Sequence, residues 1–278
     1  MHQIQLLKKY GLSVRGARGQ HLLVDENIQR KIADAVNPKK GERILEIGPG
    51  LGAITEHLLQ GGAEVIAVEQ DERFIQILEG ELGADFKRLK LVHADILKTN
   101  IEKYAKGEHS LRIVGNIPYY ITSGILLHLI SHRRCIDSVY MMVQKEIADR
   151  FFAQPSTKEY GRLSLLVRFY ADPERLFEIS RNCFSPRPEI DSTFLALVFR
   201  RKLPEAIDES VMFDLIQAGF SERRKNILNA ITDGFKGKVT KQQTAELLES
   251  AGIEKTARAE TLLLKDFMKL AEAFTRCH

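Results

Sequence analysis

Five short runs rich in Val, Ile, Leu or Met recur along the first half of the chain, at residues 43–47, 64–69, 89–94, 111–116 and 138–143. Each is too short for a helix and almost continuously apolar, the pattern of a strand buried on both faces. Between them, residues 54–60, 73–82 and 123–131 space their apolar positions three and four apart, as residues 146–152 do after the fifth run. That is helical spacing. Strand–helix alternation of this kind predicts an α/β domain with a parallel sheet covered by helices.

Beyond residue 160 the pattern changes. Residues 164–170 and 193–200 read as two further strands, joined by a Pro- and Arg-rich stretch with no crossover helix. Strands joined in that way pair antiparallel. The expectation is a seven-stranded Rossmann-like sheet with one antiparallel edge strand. Residues 202–208 read as a linker, and 210–220, 223–231, 241–251 and 262–274 as short amphipathic helices. The predicted organisation is a large α/β domain, 1–203, and a small all-helical C-terminal domain, 204–278, which suits a chain of 278 residues.

Composition narrows the setting. With 44% hydrophobic and 28% charged residues the chain has enough apolar material for a packed core. No apolar run approaches the ~20 residues of a membrane span, and the first residues do not read as a secretory signal. Cys135, Cys183 and Cys277 are odd in number and far apart, which fits free thiols in a reducing cytoplasm. His128, His132 and Cys135 share a helical spacing that imitates metal ligands. Arg133 and Arg134 interrupt it, so no metal is expected.

The formal charge is +4, a mild lean toward anionic partners. It is clustered at Arg133-Arg134, Arg200-Arg201-Lys202 and Arg223-Arg224-Lys225. Residues 206–278 carry 11 Lys and Arg against 11 Asp and Glu, so the C-terminal module is basic only locally.

The chemistry-bearing residues fall at strand ends. The first strand runs into Gly48-Pro-Gly50-Leu-Gly52 ahead of a helix, a turn that lets backbone approach a ligand closely. Several nucleotide-binding folds share such a turn; the spacing here is G-x-G-x-G, not the G-x-G-x-x-G of dinucleotide enzymes. The second strand ends at Glu69-Gln70, where an acid can accept both ribose hydroxyls. The third ends near Asp95-Ile96, where a carboxylate can accept from an adenine amino group. Each acid taken singly also fits a helix cap or a loop. The fourth strand delivers Asn116-Ile117-Pro118-Tyr119 to the same rim.

In this order Gly48-Pro-Gly-Leu-Gly, Glu69, Asp95 and Asn-Ile-Pro-Tyr resemble the S-adenosylmethionine-dependent methyltransferases that act on an amino nitrogen. Arg18-Gly-Gln-His-Leu-Leu, Val143-Gln-Lys-Glu, Tyr160-Gly-Arg-Leu-Ser, Cys183-Phe-Ser-Pro-Arg-Pro-Glu-Ile-Asp-Ser and Phe220-Ser-Glu-Arg-Arg-Lys-Asn sharpen the likeness. They resemble the ribosomal RNA adenine dimethyltransferase family, from about Gly16 to the end of the chain. The resemblance implies a class I methyltransferase sheet, S-adenosylmethionine as methyl donor, and a soluble, monomeric protein. It implies as substrate two adjacent adenines near the 3′ end of 16S rRNA, in the 30S subunit or its precursor.

It also implies roles. Gln20, His21, Leu23, Gly48, Gly50, Glu69, Gln70, Asp95, Ile96 and Asn116 would line the cofactor pocket. Asn116, Ile117, Pro118 and Tyr119 would receive the adenine, with the Asn116 side-chain oxygen and the Ile117 carbonyl accepting its N–H bonds. Phe184 is either a second aromatic face for the base or a core residue. Arg223, Arg224 and Lys225 would grip RNA phosphates. Arg18 stands where the family usually has Phe, and Tyr120 has no assigned role. Two alternatives share the motifs: a large-subunit rRNA adenine methyltransferase conferring antibiotic resistance, and a non-catalytic RNA-binding assembly factor.

Overall fold

The computed structural model describes residues 3–14, 21–82, 87–222 and 224–277. Helix α1 (Gln3–Lys9) is followed by a two-residue ribbon in which Leu22–Leu23 pairs antiparallel with Phe184–Ser185. Helix α2 (Glu26–Val36) starts where Asp25 accepts from the N–H groups of Asn27 and Ile28, and stops at left-handed Asn37. Then come β1 (Arg43–Ile47), α3 (Thr55–Gln60), β2 (Glu64–Glu69), α4 (Glu72–Leu82), β3 (Leu89–His93), β4 (Leu111–Asn116), α5 (Thr122–Ser131) and β5 (Ile136–Gln144). After α6 (Lys145–Phe152) and α7 (Arg162–Tyr170), β6 (Ala171–Ile179) and β7 (Ser192–Phe199) complete the sheet.

The strand order is β3-β2-β1-β4-β5-β7-β6. Strands β1 to β5 pair parallel and β7 pairs antiparallel with β5. The expected reversed strand is therefore present, one place in from the edge. Residues 164–170, expected as a strand, are instead helix α7, with six of its residues buried. A short run apolar on nearly every side reads alike for a buried helix and a buried strand. The real edge strand is β6, in the stretch read as a connection because it carries Pro173. A sheet edge tolerates proline because no neighbour needs its N–H.

Register brings the carboxyl ends level. Ile47 lies opposite both Val68 and Gly115, Glu69 opposite His93, and Asn116 opposite Met142. Strand order reverses between β1 and β4, so a crevice opens above their ends, where ligands of open α/β sheets bind. Buried Ile44, Val65, Val114 and Met142 of the sheet share one cluster with Ile32 and Val36 of α2 and Leu58 and Leu59 of α3.

The chain divides into two compact units, Met1–Ala148 with Pro173–Phe199, and Asp149–Asp172 with Arg200–His278. The second unit is helical: α8 (Glu209–Gly219), α9 (Ile227–Gly234), α10 (Lys241–Ser250) and α11 (Leu264–Cys277) pack on one another, and α8 and α11 also on α7. A buried hydrogen bond from the Tyr160 hydroxyl to the Leu262 carbonyl (2.7 Å) fastens the earlier segment to the C-terminal one. Asn226 caps α9 by accepting from the Asn229 N–H, so Arg224 and Lys225 stand before this helix, not within it as the spacing suggested. No described helix is long and apolar enough to cross a membrane.

One glycine sets how closely β1 and β4 approach. A Cβ on Gly115 would lie 2.8 Å from the Ile47 carbonyl oxygen and 3.0 Å from its Cβ, both parts of a rigid strand. Gly115→Ala is expected to cost about 1–3 kcal/mol by overpacking, lowering the melting temperature by roughly 2–4 °C per kcal/mol for a chain of this size. Thermal denaturation followed by circular dichroism checks this, and an unchanged melting temperature refutes it.

Candidate active site

Beyond Ile47 the backbone takes left-handed values at Gly48 (φ 65), Gly50 (φ 57) and Gly52 (φ 82), which a side chain resists. Gly50 has a second constraint: a Cβ there would meet the Leu22 side chain at 2.9 Å. The turn is tied to the neighbouring strand by the Gly48 N–H, which donates to the Val68 carbonyl (2.9 Å). It is tied again by the Gly50 N–H, which donates to Oε2 of Glu69 (3.2 Å).

Glu69 ends β2 and is nearly buried. Its Oε1 accepts from the N–H groups of Gln70 (2.8 Å) and Asp71 (2.9 Å). Burial pushes its pKa up and those backbone donors oppose the shift, leaving it raised. Two carboxylate oxygens offer about four acceptor sites, so capacity remains for a ligand hydroxyl. Asp95 accepts from the Leu97 N–H with Oδ1 (2.9 Å), capping the short turn Ile96–Lys98. The capping role expected as an alternative is thus real, and the other oxygen stays available.

Asn116 decides the chemistry of the rim. Its Nδ2 donates to the His21 carbonyl at 2.8 Å, which fixes the amide with Oδ1 as the remaining, acceptor end. The Ile117 N–H is used by the Met142 carbonyl (3.1 Å), while the Ile117 carbonyl has no hydrogen-bond partner among the described residues. The Pro118 carbonyl, by contrast, accepts from the Ile121 N–H (3.2 Å) and the Thr122 hydroxyl (3.3 Å). Asn116 Oδ1 and the Ile117 carbonyl thus have no partner among the described residues, and Ile117 itself is only 1% exposed.

Tyr119 is held from two sides. Its ring stacks on His21 with centroids 5.5 Å apart, and its hydroxyl lies 3.0 Å from that of Ser192. The His21 ring is itself fixed, because Nδ1 lies 2.7 Å from the Pro186 carbonyl and so carries the proton.

One cleft of about 1260 Å³ collects His21, Gly48, Gly50, Glu69, Gln70, Asp95, Ile96, Asn116 and Pro118. Buried Ile117 and half-buried Tyr119 are absent from its lining. So are Leu23 and Phe184. They are 3% and 4% exposed and belong to the core cluster, so Phe184 takes the second of its two expected roles. Period-2 alternation along the ribbon puts Leu22, not Leu23, in the cleft. Gln20 and Arg223 lie outside the described residues, as does Arg18. Arg224 is exposed, but the Lys225 ammonium sits between Glu222 (2.7 Å) and Asp233 (2.8 Å). His128 and His132 approach the Thr99 and His128 carbonyls at 3.0 and 2.9 Å, engagement with backbone that accounts for both rings.

Sequence reasoning missed Gly11, Leu12 and Ser13, which also line the cleft and carry no motif. It missed Tyr120 there too. It also passed over Glu46, buried beneath the glycine turn, whose Oε2 accepts from the Thr55 hydroxyl at 2.6 Å. Burial first, and nearby Glu69, push its pKa up to about 7 against the pull of Thr55.

A nucleoside bearing a positively charged sulfonium fits this donor set. The glycine turn leaves room where a Cβ would fill it, Glu69 keeps acceptor capacity for a ribose hydroxyl, and Asp95 keeps an oxygen for an amino group.

Comparison with known proteins points the same way. The ribosomal RNA adenine dimethylase family pattern matches residues 11–274. The chain is 39% identical over 274 residues to ribosomal RNA small subunit methyltransferase A of Listeria monocytogenes serovar 1/2a, covering 96% of this chain and 92% of that one. To the protein of the same description from Geobacillus sp. it is 36% identical over 97% and 94% of the two chains. Among solved structures it is similar to a dimethyladenosine transferase from Plasmodium falciparum, with TM-score 0.78, 28% identity and 92% and 98% of the two chains covered. It shares the fold of the 23S rRNA methyltransferase ErmE, with TM-score 0.67, 23% identity and 91% and 99% covered.

Glu46 makes stability pH-dependent. Its folded-state pKa, about 7, lies above the ordinary 4.5, so the native protein keeps a proton that the unfolded chain releases. The stability linked to that proton is full below about pH 4.5 and is lost as pH rises through 7. Glu46→Gln keeps an acceptor for Thr55 and removes the titration. Relative to the wild type it should gain stability as pH rises from 4.5 to 7, reaching up to about 3 kcal/mol above that window. Urea denaturation of both proteins across pH 4.5–8 checks this; a constant difference overturns it.

Proposed function

This chain belongs to the ribosomal RNA adenine dimethylase family, and from that premise we propose that it dimethylates the N6 amines of two adjacent adenines near the 3′ end of 16S rRNA, with S-adenosylmethionine as methyl donor. The observation that carries this reading is the Asn116 amide, turned by the His21 carbonyl so that its oxygen faces outward as an acceptor.

An adenine amino group is a weak nucleophile because its lone pair is delocalised into the ring. Two acceptors in fixed positions, Asn116 Oδ1 and the Ile117 carbonyl, take its two N–H bonds and draw the nitrogen toward tetrahedral geometry. The Pro118 ring, with its fixed φ, helps hold that carbonyl in place. Tyr119, braced by His21 and Ser192, supplies a rigid aromatic wall for the base. When bound, S-adenosylmethionine supplies an electrophilic methyl on a good leaving group. Glu69 would hold its ribose, Asp95 with Ile96 its base, and the Gly48–Gly50 backbone its amino-acid end. Positioning and electrostatics then lower the barrier without a strong base: the nitrogen, cationic once methylated, releases its proton to solvent, and the Asn116–Tyr119 motif itself contains no His or Glu.

The target adenine must leave its stack to reach the rim. The helical second unit, with exposed Arg224, is read as the part that grips flanking RNA. The natural substrate on this reading is the 30S subunit or its precursor, in the cytoplasm, met by a monomer. A large-subunit target is disfavoured: relatives at 36–39% identity are described as small-subunit enzymes, whereas the ErmE likeness is one of fold.

Incubating the protein with labelled S-adenosylmethionine and undermethylated 30S particles, then mapping labelled bases by digestion, tests this directly. Label absent, or confined to large-subunit RNA, sinks the reading. Asn116→Ala is expected to lower methyl transfer at least about a hundredfold, the scale for loss of one oriented polar group. Its binding to 30S particles should persist. Normal turnover in that variant refutes the amine geometry.

A further inference from the structure

Two tyrosines follow Pro118 in one tight turn, Tyr119–Ile121. Successive residues of such a turn point about 120° apart. Tyr119 goes inward to His21 and Ser192. Tyr120 goes outward and is 67% exposed, the most exposed of the large hydrophobic side chains among the described residues. Neither its ring nor its hydroxyl has a partner among them. Yet it lines the cleft, beside Pro118, Ile121 and Ile125 and on the same rim as Asn116.

A solvent-facing aromatic on the wall of a cleft is a flat apolar surface awaiting a flat partner. Bases stack on such rings whatever their sequence. When one base is extruded from its stack, its neighbour also loses a stacking face, and that loss opposes extrusion.

We propose that Tyr120 is a positioning residue that stacks the adenine adjacent to the one whose amine Asn116 holds. The inference rests on the function proposed above. Because the two target adenines adjoin, the flanking base is always a purine, with the larger π-face. Tyr119 and Tyr120, adjacent in the chain, thus serve adjacent nucleotides: one walls the reacting base, the other replaces the lost stack of its neighbour.

The test compares Tyr120→Ala, Tyr120→Leu and Tyr120→Phe with the wild type. Steady-state methylation of undermethylated 30S particles is measured, with separate titration of S-adenosylmethionine binding to the free protein. Stacking on one base predicts that the Ala and Leu variants raise KM for 30S particles roughly five- to tenfold, the low end of the range for one stacked base. Their S-adenosylmethionine affinity and melting temperature should stay at the wild-type values, and Tyr120→Phe should behave as wild type. Unchanged KM in the Ala and Leu variants overturns the proposal. So does weakened S-adenosylmethionine binding, which would place Tyr120 against the methyl donor, or a Phe variant as poor as Ala, which would assign the role to the hydroxyl. Wild-type protein inactive on 30S particles, by contrast, refutes the proposed function itself.

Discussion

The 2.8 Å hydrogen bond from Asn116 Nδ2 to the His21 carbonyl joins two segments 95 residues apart and sets which end of the Asn116 amide the rim presents. An amide can point either way, and only one way leaves an acceptor facing a ligand amine. The bond depends on β4 ending level with β1, and that register rests on Gly115 lying against the Ile47 backbone without a Cβ. It depends equally on His21, whose own position is set by the Pro186 carbonyl and the Tyr119 ring. The Leu22–Leu23 ribbon with Phe184–Ser185 then anchors both partners of that contact. Phe184, buried in the core, supports the site by holding the ribbon down.

Two carboxyl groups lie close together under the glycine turn, and their surroundings divide them. Glu69 receives three backbone N–H groups, which favour its charged form and counter the cost of burial. Glu46 receives the Thr55 hydroxyl and is buried more completely. Its proton therefore comes off later, and the pair avoids two adjacent buried charges over much of the acidic range. Glu69 is left as the group with accessible oxygens, which is what a ribose-binding carboxylate requires. Thr55 opens α3, so Glu46 also fastens that helix to β1 below the turn.

Much of this was legible in the sequence because strand ends in a parallel sheet carry local signals. The runs at 43–47, 64–69 and 111–116 matched their strands to the residue, and Gly48, Glu69, Asp95 and Asn116 fell on one rim. What was not legible depends on contacts that no local pattern records. Residues 164–170 look strand-like because both sides of that segment are buried, a consequence of packing within the second unit. Leu22 and Leu23 exchange roles through a pairing with residues some 160 positions away. Lys225 reads as a phosphate ligand until Asp233, a helix away, is found beside it. Gly11 to Ser13 line the cleft without any residue type that announces it.

The residues that line the cleft all belong to the first unit. The second unit, residues 149–172 with 200–278, carries 18 Lys and Arg against 15 Asp and Glu, so most of the chain's formal +4 lies in it, although one of its clustered cations is neutralised by two acids. A modest excess of that sign suits contact with phosphates, an attraction that scales with the number of phosphates neutralised. On the proposed function its contribution to choosing a substrate would combine that attraction with shape and with exposed groups such as Arg224. The rim faces the same demand at the scale of one nucleotide. On the proposed function, Asn116 and the Ile117 carbonyl would recognise an amine by two directed acceptors, while the tyrosines offer surfaces indifferent to base identity. By the same reading those two acceptors would select for an exocyclic amine, which cytosine and guanine also carry, and the aromatic residues would supply the residence time that lets the acceptors act.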